Sequence, residues 1–342
     1  MNVIITILQF MPFIFLLWIA NLSEHFKGHP VHYRSSTGLA IVGYAFLCLL
    51  YGAMLLFGTL IQLLSLTAPV NQIGPGAGLE GEFVEALMNL GPTFWITALL
   101  GLILLIPPVR RGLAKWIPIQ PDNRIHTFVL SASMLIWWYF FLFMAIGLEL
   151  LANMIPAEEN PMPELWAQQI TFFFMALVGV GWLSWRRTFK ESLNRLGLVK
   201  PTLKQCLIGI GFGLFFVGVA QIIEVLFQIF GIVNDPHVET LTENMLGGLF
   251  GSVGGILTLG LSAALGEEAI FRGALQPRFG LLLTAVLFTV VHSNYGFSVS
   301  TLVVFLLALA LGVLRNRYNT STTMIVHATY NMTLGILYAF FG

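Results

Sequence analysis

Charge is what this chain has least of. Of its 342 residues 9% are charged and 57% hydrophobic, and the mean hydropathy is +0.86. Soluble domains carry about 25% charged residues. A chain this poor in charge uses lipid as its solvent. Sixteen basic and sixteen acidic residues cancel, so no net field favours nucleic acid or an acidic partner. Cysteine is nearly absent. Cys48 and Cys206 sit in or beside apolar runs, which argues against a disulfide framework and against a Cys-based zinc site. The first apolar run lacks a basic n-region and an A-x-A site, so it reads as a retained helix rather than a cleaved signal. No internal repeat or low-complexity tract is visible.

Apolar runs are abundant. They fall near 3–22, 39–66, 93–109, 127–155, 167–185, 206–233, 249–276, 280–296, 298–314 and 320–341. A membrane crossing needs about 20 mostly apolar residues. Most runs meet that, while 280–296 and 298–314 are short. The expectation is an all-α polytopic transmembrane helical bundle of roughly eight to ten spans, an integral multi-pass protein in the bilayer. Lysine and arginine concentrate after alternate spans: Lys27 and Arg34; Arg110, Arg111, Lys115 and Arg124; Arg186, Arg187, Lys190, Arg195, Lys200 and Lys204; Arg278; Arg315 and Arg317. The intervening loops carry Glu80, Glu82 and Glu85, then Glu158, Glu159 and Glu164, then Asp235, Glu239 and Glu243. Basic loops stay in the cytoplasm, which predicts ten passes with both termini outside. "WRRTFKESLNRLGLVKPTLKQ", 185–205, is long enough for an interfacial amphipathic helix. It divides an N-terminal membrane region of unknown role, 1–185, from a core at 206–342, with 186–205 as a basic interfacial connector.

Ionisable side chains inside a span cost from about 2.5 kcal/mol upward and are functional candidates by default. The core holds Glu267, Glu268 and Arg272, then His292, then His327 with Asn331, and also Glu224. Taking Arg278, Arg315 and Arg317 as surface markers, Glu267, His292 and His327 all lie roughly 15–21 Å deep at 1.5 Å per residue. Three polar groups on three segments thus share one layer. Glu268 and Arg272 are spaced i, i+4 and can pair. Glu267 is turned about 100° away and can face a cavity. His327 and Asn331 are also one turn apart and can donate to one point.

These residues resemble a known family. "EEAIFR", 267–272, matches the E-E-x-x-x-R motif of the CPBP family, the CAAX-protease and bacteriocin-processing intramembrane endopeptidases. "FTVVH", 288–292, matches its F-x-x-x-H motif, and "HATYN", 327–331, its H-x-x-x-N motif. Order and spacing agree. "LGLVKPTLKQ", 196–205, is similar to the lead-in of many bacterial members. The resemblance covers roughly 195–340 and leaves the first five spans unexplained. It implies a glutamic, type II CAAX prenyl endopeptidase-like hydrolase, placed in a bacterial cytoplasmic membrane. Its substrate would be a peptide or protein at the membrane, prenylated in some characterised relatives. Glu267 would be the general base and His292 would orient the water. His327 and Asn331 would form an oxyanion hole. Glu268 and Arg272 would support them, the arginine offsetting two adjacent carboxylates.

Other readings of the same residues stay open. Glu268 with Arg272 can be a structural ion pair, His292 and Phe288 packing residues, and His327 with Asn331 an interhelical hydrogen-bond pair. The whole chain can be a non-catalytic immunity or scaffolding protein of the same fold, or a proton-coupled transporter. Glu267, His292 and His327 include a possible zinc set. However, the histidines lie on different spans rather than in an H-E-x-x-H turn, and Asn331 is a poor zinc ligand, so no cofactor is expected. His25, His29 and His32 read as a solvated loop, "GPGAG" at 74–78 as a flexible loop, and the glycines of "GIGFG" and "GSVGG" as sites of close helix packing.

Overall fold

The computed structural model describes residues 3–67, 78–232 and 235–341. Residues 74–77 of the "GPGAG" run lie outside the described residues. No strand occurs among the described residues. Eight helical stretches there are long and apolar enough to cross a membrane. Four precede the connector: α1 (Val3–Phe26), α2 (Tyr33–Ser65), α3 (Gly81–Ile103) and α4 (Arg124–Ile146). Next comes α5 (Met162–Gly179), which covers part of the expected 167–185 span. It is not among the eight, because Glu164, Gln168 and Gln169 dilute its apolar character.

The connector is ordered by its own caps. A capping box between Thr188 and Glu191 starts α6 (Phe189–Leu196), and Gly197 ends it in the left-handed region. The Thr188 backbone N–H donates to Glu191 at 2.8 Å, which holds that carboxyl below its usual range. A second capping box, Thr202 with Gln205, opens α7 (Leu203–Ile229). The next helix, α8 (Pro236–Phe250), is short, with Asp235 as its cap.

The stretch Val253–Val290 is the most buried of the eight. It comprises α9 (Val253–Glu268), a π-helical segment Ala269–Leu275 and α10 (Gln276–Val290). It is not one rod. Glu267 and His292 would stand roughly 37 Å apart on a continuous helix, yet their side chains approach to 4.0 Å. The chain turns back at Gly280, whose φ of 79° and ψ of 177° suit only glycine. Phe271 and Phe288 meet across this hairpin with ring centroids 5.1 Å apart. The expected run 280–296 is therefore the returning arm. Its helix stops at Val290 and gives way to a turn of 3-10 helix, Ser293–Tyr295. The last two long helices are α11 (Val299–Arg317) and α12 (Thr320–Phe341). Gly209 and Gly213 let α7 lie directly on Ile325 and Thr329 of α12. Cys48 and Cys206 are free.

The connector is fastened to the core. Thr320 Oγ1 donates to the Leu196 carbonyl at 2.5 Å, and the Thr320 N–H donates to Gly197. If this connector is cytoplasmic, as its six basic residues require, a cysteine placed at Lys190 in a Cys48→Ser, Cys206→Ser background will resist a membrane-impermeant maleimide in intact cells. It will react after permeabilisation. Labelling in intact cells would reverse the orientation.

Candidate active site

Glu267 closes α9 where the backbone widens into the π-helix. Single π turns within α-helices are rare and concentrate at functional sites. Here the π turn immediately follows two adjacent carboxylates. Glu267 Oε1 accepts a hydrogen bond from Gln169 Nε2 at 3.3 Å. Its Oε2 is buried, makes no hydrogen bond among the described residues, and lies 4.0 Å from His292 Nε2.

His292 stands where α10 has ended. Its Nδ1 is 2.8 Å from the Phe288 carbonyl. A carbonyl only accepts, so Nδ1 carries a proton, and Nε2 is the ring nitrogen that faces Glu267. The gap of 4.0 Å is too long for a direct hydrogen bond. Its width is that of two hydrogen bonds of about 2.7 Å meeting at one water. Tyr295 stacks on the imidazole, with centroids 6.0 Å apart and planes at 14°.

Glu268 points the other way and is fully buried. Its Oε1 lies 3.1 Å from His327 Nδ1 and its Oε2 lies 3.5 Å from Arg272 Nε. The sequence suggested only the arginine as its partner; the tether to His327 is additional. The Arg272 guanidinium sits 4.1 Å over the Phe288 ring, a cation–π contact. Phe288 thus does more than fill space: its carbonyl fixes His292 and its ring receives Arg272. Asn331 Nδ2 faces the Leu259 carbonyl at 3.5 Å, a contact at the limit of a hydrogen bond, so this amide donor is only weakly engaged.

Glu267, His292, His327 and Asn331 all line one cavity of about 1610 Å³. Glu268 and Arg272 do not line it; they lie behind it. Much of the remaining wall is apolar and comes from the N-terminal region, including Phe13, Met54, Phe128 and Phe172. Glu224 also lines this cavity, far along the chain from the motifs. Gln169 is the residue that sequence reasoning passed over. The signal was available, since two adjacent glutamines inside a span are polar residues at a functional depth. Arg278, taken as a surface marker, is 6% exposed and donates to the Ala274 and Gly179 carbonyls at 2.7 and 2.9 Å. His25, His29 and His32 have neighbouring rings. No three His, Cys, Asp or Glu side chains among the described residues are arranged to hold a metal.

Fold and site together define a polytopic helical membrane protein with a carboxylate, two histidines and an amide on the wall of one large, partly open cavity within the bundle. Residues 249–333 match the family described as type II CAAX prenyl endopeptidase Rce1-like, so this segment is similar to that family of membrane proteases. No curated protein and no solved structure matches the chain.

Proposed function

We propose that this protein is an intramembrane glutamic endopeptidase that hydrolyses a peptide bond with a water held between Glu267 and His292. The observation that carries this reading is the 4.0 Å gap between Glu267 Oε2 and His292 Nε2 on the wall of a large cavity. With Glu267 ionised and the His292 ring neutral, both facing atoms accept, so a water there donates to each and keeps its lone pairs for attack. As the water oxygen bonds to the peptide carbon, Glu267 takes its proton. The carbonyl oxygen becomes an oxyanion. Asn331 Nδ2 donates to it, and His327, held at Nδ1 by Glu268, turns its Nε2 to it as the second donor. Collapse breaks the C–N bond, and the proton held by Glu267 passes to the departing amine with His292 as the neighbouring relay.

The donor set is consistent with a metal-free course. No three His, Cys, Asp or Glu side chains among the described residues are arranged to hold a metal, and Asn331, one turn from His327, is a neutral amide and a poor metal ligand. Membrane peptides from cells carrying the wild type and Glu267→Gln test the reading. Specific cleavage products are expected only with the wild type, and purified protein is expected to keep its activity through chelator treatment. Identical peptide sets would leave a non-catalytic membrane protein. Zinc-dependent loss and recovery of activity would replace the metal-free course with a metal-activated water. The family match and the chamber favour a substrate that carries a lipid or an apolar segment at the membrane.

A further inference from the structure

We propose that Gln169, from the N-terminal region, is a positioning residue for Glu267. This rests on the reading of Glu267 as the base. A carboxylate at the end of a long side chain must present one chosen oxygen, and its two oxygens here have different surroundings. Gln169 Nε2 donates to Oε1 at 3.3 Å. Only Oε2 is left facing His292 Nε2. The carboxamide orientation is set by chemistry, because its nitrogen is the only end that can donate to a carboxylate. Gln169 is 4% exposed, and its Oε1 is buried without a hydrogen-bond partner among the described residues. A buried amide left half satisfied costs free energy, which fits a side chain held in place for what its nitrogen does.

The backbone of α9 makes room for this contact. A Cβ on Gly266, the residue before Glu267, would stand 2.2 Å from Gln169 Oε1 and 2.6 Å from the Gln169 carbonyl oxygen. The glycine therefore lets α5 approach closely enough for the amide to reach the carboxylate. One turn before Gln169, Trp166 Nε1 donates to Thr258 Oγ1 at 3.1 Å, a second polar link between α5 and α9. The family match begins at residue 249. The structure thus assigns a part in the site to a helix that lies outside the matched segment and before the connector.

The test uses the full chain in detergent and the near-isosteric variant Gln169→Met, which keeps the packing volume and removes the donor. The first readout needs no substrate. Dicyclohexylcarbodiimide adds to protonated carboxyl groups in apolar surroundings, and mass spectrometry follows its addition at Glu267. Loss of one hydrogen bond to a charged group is expected to speed this labelling about tenfold. The second readout is turnover of whichever peptide bond the wild type is found to cleave. Here kcat is expected to fall about 10–100-fold with KM changed by less than about twofold, the pattern of a misaligned base rather than lost binding. Wild-type values in either readout would make Gln169 a packing residue and overturn the proposal. If Gln169→Met does not fold, Gln169→Asn takes its place, since it keeps the polarity but falls one methylene short of Glu267. If the wild type cleaves nothing, the peptidase reading fails on its own, and the labelling rate still decides whether Gln169 governs the state of Glu267.

Discussion

Glu267→Gln is expected to leave a folded protein whose kcat is lower by about 10²–10⁴, the range that a positioned general base supplies. The substitution is nearly isosteric. The new side-chain carbonyl can still accept from Gln169 Nε2, which now donates to Glu267 Oε1, so the bundle has no reason to rearrange. What is lost is the proton acceptor across the 4.0 Å gap from His292. KM should move little, since the cavity wall that receives the substrate is mostly contributed by other residues. Steady-state kinetics on a purified peptide substrate read the result. A variant that retained more than about a tenth of wild-type kcat would remove Glu267 from the role of base, because a lost base costs far more than tenfold.

Arg272→Met is expected to lower stability by about 3–5 kcal/mol, the penalty for leaving one member of a buried ion pair without the other. Glu268 and Arg272 are 0% and 1% exposed, so water cannot take the place of the lost partner. Restoring apolar balance with Glu268→Met and Arg272→Met together should recover most of the melting temperature, since apolar replacement of both partners is often neutral. Activity should not return with it. Glu268 also holds His327 at 3.1 Å, and without that anchor the imidazole is free to turn. Thermal unfolding in detergent, paired with a cleavage assay, separates the two effects. Full activity in the double variant would show that His327 needs no tether.

Much of this arrangement was legible before any coordinates, and for a physical reason. Charges in a bilayer are so costly that each must be held for a purpose, so Glu267, Glu268, Arg272, His292 and His327 stand out against an apolar background. Counting residues from the basic loops brought three of them to one depth, even though one of the markers, Arg278, proved to be buried in protein. The break between the two arms was also legible, since the apolar runs 249–276 and 280–296 part around Arg278. The π-helical turn after Glu268 left no such mark, because "AIFRGAL" at 269–275 reads as ordinary helix. The Gln169 contact was hidden for a different reason. It joins residues 98 apart in the chain, and only the packing of α5 against α9 brings them together. The number of long apolar helices depended on two segments, Met162–Gly179 and the arm after Gly280. One is diluted by polar residues and the other is cut short at the site.

The hairpin at Gly280 sets a timetable for the making of the protein. A chain emerging from the ribosome delivers α5 first, with Gln169. The hairpin follows, and its two arms can close on each other as soon as both are inserted, since Glu267 and His292 are near neighbours in the chain and local contacts form early. His327 and Asn331 come later still, on α12, after α11 has been threaded. Until α12 docks, Glu268 lacks the His327 contact. On the proposed reading, a chain still waiting for α12 therefore sits among other nascent chains with its site incomplete, and gains its full set of groups only when α12 arrives.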